Sequence, residues 1–330
     1  MPTEVAVVDS ANPDSSILHR AAEVICRGGL VAFPTETVYG LGADATNAEA
    51  VARVFNAKGR PATNPLIVHV HSAEAAKGCA SEWPGAADLL ASAFWPGSLT
   101  IVVPAAPIIA PIVLAGGSTV GLRVPSNAVA LSLLRACNRP IAAPSANRSE
   151  SLSPTTAEHV LRGLDGRIDL ILDGDPTTGG LESTVVDLSV SPPRLLRPGL
   201  VSAERLRVLL PDLEIAPNVD ASRIQKSPGR SPRHYATATP MELVADVAAM
   251  TSKPSGRVAV VAFGDFRIPI ADDRVVRRNL PANAQQAARE LYSLLHELDQ
   301  LGLDRILVQE PPAGDDWSAV RDRLQRASTR

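Results

Sequence analysis

Short apolar runs alternate with amphipathic segments along the first two thirds of the chain. The runs at 30–33 and 66–70 are typical of buried strands. Between them, apolar residues recur at helical spacing after Asn47, which can cap a helix that Gly59 and Pro61 end. The polar, glycine-bearing residues 35–42 are predicted as a loop. The same patterns predict helices at 15–27, 74–80, 85–94, 127–136, 154–162 (opened by Pro154) and 203–210, and strands at 98–103, 119–124, 141–143, 168–172 and 184–188.

The pattern changes after residue 210. Residues 211–239 are polar and punctuated by proline, which predicts an extended linker. Beyond it a second set of alternating elements predicts helices at 241–250, 283–301 and 316–326, and strands at 257–263, 274–278 and 305–308. We therefore expect an α/β protein with domains at 1–210 and 240–330. The first is predicted to hold a twisted mixed sheet with helices on its faces, and the second to be a smaller Rossmann-like α/β domain.

Composition narrows the functional class. The 330 residues carry a net charge of −3, and neither half is basic, which does not support a broad nucleic-acid surface. Three scattered cysteines (Cys26, Cys79 and Cys137) favour a reducing compartment without a disulfide framework. The uncharged stretch 94–122 is broken by prolines and glycines, so we expect two buried strands there rather than a membrane span. The first residues carry acids and no long apolar core, unlike a signal peptide.

Two cations form a basic corner after the predicted helix at 47–58. Lys58 and Arg60 flank Gly59, and such a corner suits phosphate, because arginine offers a planar fork and lysine a mobile charge. A solvated helix end would explain the same residues, since cations are favoured near helix C-termini. The phosphate-binding P-loop pattern is absent, and Gly40–Gly42 is too short for a dinucleotide fingerprint.

Other polar side chains stand at strand ends or inside strands. Ser145 and Asn147 follow a buried strand, where ligands often bind, although plain turn chemistry fits too. A nucleophilic Ser145 would lack its usual sequence context and a histidine partner. His69 and His71 could form a metal pair, but without further ligands a hydrogen-bonded strand histidine is favoured. Arg123 lies in an apolar strand and needs an anionic partner, either an internal carboxylate such as Glu36 or a ligand carboxylate.

A series of motifs resembles the threonylcarbamoyl-AMP synthase family, which carries the YrdC-like domain. The resemblance covers about two thirds of the chain in family order. It rests on the segments Pro34-Thr35-Glu36-Thr37-Val38-Tyr39-Gly40-Leu41, Lys58-Gly59-Arg60-Pro61, Asn64-Pro65-Leu66, Trp95-Pro96-Gly97-Ser98-Leu99-Thr100, Gly121-Leu122-Arg123-Val124-Pro125, Ala143-Pro144-Ser145-Ala146-Asn147, Ser153-Pro154-Thr155, Glu182-Ser183-Thr184-Val185, Arg197-Pro198-Gly199, Ser227-Pro228-Gly229 and Arg233-His234-Tyr235.

The resemblance implies a division of the site into two parts. It implies L-threonine binding by Thr37, His69, Arg123, Ala143 and Ser183. It implies ATP binding by Lys58, Arg60, Asn64, Thr119, Ser145, Asn147, Ser153, Arg197 and Tyr235. Lys58 and Arg60 would also stabilise charge during the reaction, and Tyr235, in the linker 211–239, would act as a lid over the nucleotide. The segment 149–152 departs from the family pattern, and Glu150 would disfavour an anionic nucleotide if it pointed inward.

The resemblance also implies a reaction and its participants. A cytoplasmic nucleotidyltransferase would convert L-threonine, bicarbonate and ATP, with magnesium held through the ATP phosphates, to threonylcarbamoyl-AMP and pyrophosphate. A downstream threonylcarbamoyl transferase would use the product to modify tRNA. Direct tRNA binding stays open, and no membrane is involved. One alternative is a non-catalytic RNA-binding factor using the same concave domain, and another is a carbamoyl transferase using carbamoyl phosphate.

Overall fold

A computed structural model describes residues 2–216, 235–245, 247, 255–265 and 272–328. Two β-sheets, each with helices on its faces, contain most of the apolar core. The strands of the first are β1 (Glu4–Val7), β2 (Val31–Phe33), β3 (Gly40–Asp44), β4 (Ile67–His69), β5 (Leu99–Pro104), β6 (Thr119–Arg123), β7 (Ile141–Ala142), β8 (Leu170–Asp173), β9 (Thr184–Asp187), β10 (Arg194–Arg197) and β11 (Glu214–Ile215). Its helices are α1 (Ser15–Cys26), α2 (Ala48–Lys58), α3 (Ala73–Lys77), α4 (Gly85–Phe94), α5 (Ala128–Cys137), α6 (Ala157–Leu164) and α7 (Ala203–Leu209).

The first sheet is mixed, as the sequence predicts. Its strand order is β1-β8-β2-β3-β7-β4-β6-β5-β9-β10-β11, with parallel and antiparallel pairs interleaved. For example, β6 runs parallel to β4 and antiparallel to β5. The uncharged stretch 94–122 forms β5, β6 and a connection with a 3₁₀ turn at Pro111–Leu114, in agreement with the prediction. Within the described residues, no helix is both long and apolar enough to cross a membrane.

The second sheet is entirely parallel. It contains β12 (Met241–Val244), β13 (Val258–Phe263), β14 (Val275–Leu280) and β15 (Arg305–Gln309) in the order β12-β15-β13-β14. Two helices accompany it, α8 (Ala284–Asp299) and α9 (Ser318–Ser328), the latter after a 3₁₀ turn at Asp315–Trp317. All-parallel pairing is the Rossmann-like arrangement that the alternating elements predict.

The local signals around α2 act as expected. Asn47 accepts hydrogen bonds from the backbone N–H groups of Glu49 and Ala50 at the start of the helix. Val51 and Val54 are fully buried on its inner face. Gly59 ends the helix in the left-handed conformation (φ +63°), which glycine adopts without strain. The result is a sharp corner that turns the chain toward β4.

Three predicted elements are corrected by the structure. The predicted loop 35–42 ends three residues early, because Gly40 already begins β3. The helix at 154–162 begins at Ala157, where the Thr156 side chain accepts from the backbone of His159, so Pro154 does not open it. The helix predicted at 241–250 is wrong at its start, where residues 241–244 form β12, paired with β15. Most of 245–250 lies outside the described residues, as do Ser227-Pro228-Gly229 and Arg233-His234.

The second sheet's helices pack against the first domain. Val38, Leu152 and Leu181 of the first domain share one buried cluster with apolar residues of α8 and α9. Gly180 has φ +77°, and a β-carbon there would lie 2.5 Å from the backbone oxygens of Ala288 and Arg289. Such close backbone contact is possible only for glycine. The second domain therefore lies directly against chain segments that lead to the cavity described next.

Candidate active site

A cavity opens among the ends of several central strands of the first sheet. Its lining combines hydroxyl groups, three arginines and one carboxylate with a few apolar side chains. The lining residues are Thr35, Thr37, Val38, Gly40, Arg60, Ile67, His69, Arg123, Ala143, Pro144, Ser145, Glu182, Ser183, Arg197 and Tyr235. The structure thus brings together residues from motifs that are up to 200 positions apart in the sequence.

The cavity contains most of the residues singled out from the sequence. All five implied threonine-binding residues line it: Thr37, His69, Arg123, Ala143 and Ser183. Four of the implied ATP-binding residues line it as well: Arg60, Ser145, Arg197 and Tyr235. The other five lie outside the lining: Lys58, Asn64, Thr119, Asn147 and Ser153.

Arg123 is held at the end of β6 by three acceptors. It donates to Glu36 Oε1 at 2.6 Å, to Thr37 Oγ1 at 2.9 Å and to the backbone oxygen of Gly97 at 3.1 Å. Its side chain is only 4% exposed. Of the two anionic partners that the sequence left open, the structure contains the internal one, Glu36. Arg123 therefore fixes the hydroxyl of Thr37 and presents a buried positive charge to the cavity.

His69 is a neutral imidazole at the cavity wall. Burial, with Arg123 nearby, lowers the pKa of His69 to about 3. Its Nδ1 atom is buried and accepts or donates no hydrogen bond within the described residues. The described residues contain no group of three His, Cys, Asp or Glu side chains that could hold a metal ion. A neutral ring nitrogen at this position can bind a polar ligand group.

The lowered pKa of His69 predicts a dependence of stability on pH. Unfolded His69 takes up a proton near pH 6.5, whereas the folded chain does so only near pH 3. Acidification through this range therefore favours the unfolded state. The titration of His69 lowers the free energy of unfolding by up to about 1.4 kcal/mol for each pH unit of acidification. We expect His69→Gln to flatten the plot of unfolding free energy against pH between 6 and 4, measured by urea titration. His19→Gln, at an exposed position of α1, should leave the slope unchanged, and equal slopes for all three proteins would contradict the assignment.

Lys58 does not line the cavity but holds a loop that does. Its ammonium donates to the backbone oxygens of Ser145 and Asn147, each at 2.6 Å, and to Asn147 Oδ1 at 3.2 Å. The side chain is 2% exposed, so the solvated-helix-end interpretation is wrong for this residue. Burial, with Arg60 and Arg148 nearby, holds the pKa of Lys58 well below its usual value. Lys58 thus ties the end of α2 to the loop that follows β7.

Arg60 is buried too, but it lines the cavity. Its guanidinium donates to the backbone oxygens of Asn64 at 3.3 Å and Pro65 at 3.0 Å. Burial lowers the pKa of Arg60 to about 10, which leaves it charged at neutral pH. The amide oxygen of Asn64 is buried without a hydrogen-bond partner among the described residues. This corner therefore presents a fixed cation to the cavity and, outside the lining, holds an amide oxygen to which no described residue donates.

The loop after β7 and the start of β9 complete the polar lining. Ser145 donates to Asn147 Oδ1 at 2.6 Å, and Asn147 donates to the backbone oxygen of Ser151, also at 2.6 Å. Ser145 therefore has an amide partner, not the histidine that a nucleophilic serine requires. On the opposite side, Arg197 donates to the backbone oxygen of Ser183 at 2.9 Å and to its hydroxyl at 3.2 Å. The two loops hold their hydroxyl groups in defined orientations.

Glu182 is a cavity residue that received no role from the sequence, although its motif was recognised. It is 6% exposed and accepts hydrogen bonds from Ser153, Tyr292 and Arg323. Burial alone would raise its pKa, but Arg323, Arg197 and the hydrogen bond from Ser153 outweigh this, and its pKa is lowered. Glu182 is thus ionised, and two of its partners come from α8 and α9. Thr35, whose hydroxyl belongs to the predicted loop 35–42, lines the cavity beside Thr37. Four further lining residues had no expected role: Val38, Gly40, Ile67 and Pro144.

Tyr235 closes one side of the cavity. It is 1% exposed, adopts φ +62°, and its ring centroid lies 5.9 Å from that of Tyr292. The following residue, Ala236, donates from its backbone N–H to the oxygen of Glu150 at 2.7 Å. Of the predicted linker, residues 217–234 lie outside the described residues. The part that is described leads Tyr235 into the site between the two domains.

Glu150 points to solvent, so its charge does not enter the cavity. It adopts φ +68°, a conformation that costs non-glycine residues about 1–2 kcal/mol. We expect Glu150→Gly to raise the free energy of unfolding by about 1 kcal/mol, measured by chemical denaturation. Glu74→Gly, within α3, should lower it by about the same amount, because glycine weakens a helix. A loss of stability in Glu150→Gly would show that its side chain has a contact that outweighs the backbone strain.

Comparisons with known proteins agree with this geometry. A model of the Sua5/YciO/YrdC family, described as telomere recombination, matches residues 23–199. A second, described as the C-terminal domain of threonylcarbamoyl-AMP synthase, matches residues 201–329. The chain is 40% identical to the threonylcarbamoyl-AMP synthase of Pyrococcus abyssi over 93% of each chain. It is 36% identical to that of Bacillus subtilis, over 98% of this chain and 96% of the other.

The fold comparison extends over the whole chain. The crystal structure of P. abyssi Sua5, described as complexed with L-threonine, superposes with a TM-score of 0.90 at 38% identity. The match covers 99% of this chain and 98% of the other. Both domains and their mutual arrangement are therefore shared with that protein. The chain belongs to the Sua5/YciO/YrdC family of threonylcarbamoyl-AMP synthases.

Proposed function

We propose that this chain is an L-threonylcarbamoyladenylate synthase, a nucleotidyltransferase that makes threonylcarbamoyl-AMP and pyrophosphate from L-threonine, bicarbonate and ATP. The observation that carries the proposal is the single cavity in which the implied threonine-binding residues face arginines suited to a nucleotide. A relative of the same architecture binds L-threonine. The synthase would act in the cytoplasm, and a downstream threonylcarbamoyl transferase that modifies tRNA would consume its product.

The amino acid end of the cavity combines one buried cation with short polar groups. Arg123 attracts the carboxylate of threonine, and Thr37, whose hydroxyl it holds, lies beside it. The neutral ring of His69 suits a hydroxyl or an uncharged amine. The methyl group of Ala143 provides an apolar contact for the side chain of the substrate. This end thus supplies charge, polarity and apolar surface that match threonine.

The nucleotide end carries the remaining arginines. Arg60 and Arg197 both line the cavity and are both buried, so their charges act at low dielectric on a phosphate chain. Lys58 contributes indirectly by fixing Ser145 and Asn147. Glu182 is the only carboxylate in the described lining, and Arg323 already binds it. Magnesium therefore fits best as part of the Mg–ATP substrate, held through the phosphates.

The reaction needs no protein nucleophile. The amine of threonine attacks bicarbonate, and loss of water leaves an N-carboxy group. An oxygen of that carboxylate then attacks the α-phosphorus of ATP, and pyrophosphate leaves. Alignment of the reactants accounts for up to roughly 7–11 kcal/mol of the lowered barrier. The arginines stabilise the charge that develops on the phosphates.

Pyrophosphate release by the purified protein tests the proposal. The assay contains ATP, magnesium and bicarbonate, with each common amino acid added in turn. We expect release that requires both L-threonine and bicarbonate. Release that is absent, or indifferent to threonine, would refute the assignment of the substrate while leaving the fold assignment intact.

A further inference from the structure

Arg323 is a cation with no access to solvent. It lies on α9 of the second domain and is 0% exposed. Its Nε donates to Glu182 Oε2 at 2.7 Å, and its Nη1 donates to Asp322 Oδ2 at 2.5 Å. Its Nη2 donates to the backbone oxygen of Pro198 at 3.1 Å. A buried guanidinium with three directed acceptors has one orientation, because a rotation would leave N–H groups unpaired.

The partners of Arg323 belong to three separate segments of the cavity wall. Glu182 itself lines the cavity and precedes Ser183, which also lines it. Pro198 follows Arg197, whose guanidinium faces the cavity from the same wall. The third segment is the end of the linker, because the Arg323 guanidinium carbon lies 5.1 Å from the centre of the Tyr235 ring. Arg323 therefore contacts all three segments of the cavity wall, although it does not itself line the cavity.

Contacts within the second domain hold Arg323 in turn. Asp322 accepts from Arg323 and also pairs with Arg326 at 2.8 Å, one helical turn along α9. Tyr292 on α8 points its hydroxyl at Glu182, 3.3 Å from Oε2. The carboxylate of Glu182 is thus approached by groups from both helices of the second domain. Such a network transmits the position of α9 to the wall of the cavity.

We propose that Arg323 is a positioning residue for the nucleotide end of the active site, and that the second domain supports catalysis through it. This inference rests on the proposed function. The guanidinium sets the spacing between Glu182, the Arg197–Pro198 backbone and the ring of Tyr235. Arg323 itself contacts no substrate, so its loss acts on ATP binding rather than on the chemistry of threonine.

Two matched substitutions on α9 test this inference. Arg323→Lys keeps a positive charge beside Glu182, which preserves the fold, but an ammonium cannot also reproduce the bond to Pro198 and the planar contact with Tyr235. Arg321→Lys is the control. Among the described residues, Arg321 donates only to the backbone oxygens of Pro312 and Gly314, which belong to its own domain. We expect Arg323→Lys to raise KM for ATP about tenfold and KM for threonine less than threefold, with a melting temperature close to that of Arg321→Lys.

A double substitution identifies the route of the effect. If Arg323 acts through Tyr235, then Arg323→Lys combined with Tyr235→Leu raises KM for ATP no more than Tyr235→Leu alone. Multiplied effects in the double variant would assign the effect to the contacts with Glu182 and Pro198 instead, and an unchanged KM for ATP in Arg323→Lys would overturn the proposal. Calorimetry measures the affinity for ATP without requiring turnover. This test therefore does not depend on whether the chain catalyses the proposed reaction. A weakened affinity in Arg323→Lys supports positioning even if the wild-type chain releases no pyrophosphate.

Discussion

Replacing Lys58 with alanine is expected to lower kcat/KM for pyrophosphate release about 100-fold, or roughly 2.7 kcal/mol. Lys58 is the donor to three oxygens of Ser145 and Asn147. Its removal leaves the backbone oxygens of Ser145 and Asn147 without this donor, and each unpaired group costs about 1–3 kcal/mol, whereas Asn147 Oδ1 still accepts from Ser145. The loop after β7 then relaxes, and the Ser145 hydroxyl loses its position in the cavity. We expect the loss to appear mainly as a higher KM for ATP.

A second lysine provides the control for Lys58→Ala. Lys77 on α3 pairs with Asp88 at 3.0 Å, and its side chain is 39% exposed. Lys77→Ala should therefore leave kcat/KM unchanged and shift stability by no more than about 0.5 kcal/mol. Arg60→Ala, which removes a cation from the lining itself, should cost at least about tenfold. A Lys58→Ala protein with nearly normal kcat/KM would rule out the supporting role of this lysine.

Replacing Arg123 with methionine is expected to lower kcat/KM for threonine at least about 100-fold, roughly 2.7 kcal/mol. The substitution removes the buried cation beside Thr37 and leaves Glu36, which lies next to the cavity but not in its lining, without the arginine that neutralises it. A negative charge at that position repels the carboxylate of threonine. KM for threonine should therefore rise steeply, while KM for ATP should change less than about threefold. Steady-state rates at varied threonine and varied ATP measure the two effects separately.

A double variant, Glu36→Gln with Arg123→Met, separates the effect of the unpaired carboxylate of Glu36 from the effect of losing the arginine side chain. The double variant lacks both charges, so it should bind threonine better than Arg123→Met alone. Arg139→Met is the control, because Arg139 pairs with Asp44 at a half-exposed position away from the cavity lining. Equal increases of both KM values in Arg123→Met would show that this arginine supports the whole site rather than its amino acid end.

The features that could be predicted from the sequence depend on local chemistry. The cap at Asn47 and the helix end at Gly59 follow from neighbouring residues, and both form as expected. The mixed character of the first sheet followed from irregular connections between strands. The resemblance of the motifs to a known family also identified nine of the residues that line the cavity.

The missed strands depend on distant contacts. β3 contains Gly40 and Gly42, and glycine alone is a weak signal for a strand. At Gly42 a β-carbon would lie 2.8 Å from the ring of Phe33 and 2.9 Å from Ile141, so the packing of neighbouring strands requires glycine. Three of the four residues of β12 (Met241, Glu242 and Leu243) have good helical propensity, and the pairing of β12 with β15 overrides that preference.

The role of Lys58 could be predicted only in part. Its sequence position indicated a functional cation. Only the structure shows that its ammonium donates to backbone oxygens of the loop after β7 and does not line the cavity. The network around Glu182 was beyond prediction for a different reason. Glu182 and Arg323 are 141 residues apart, and no local pattern connects them.

The position of Arg323 in the chain has a consequence for protein synthesis. A ribosome makes every residue of the cavity lining before it reaches α9. A nascent chain that has not yet released α9 therefore carries Glu182 without the guanidinium that neutralises it. In such a chain Glu182 and the backbone oxygen of Pro198 lack the donor that α9 supplies. We therefore expect the nucleotide end of the cavity to reach its final arrangement only after α9 has been made and has packed against it.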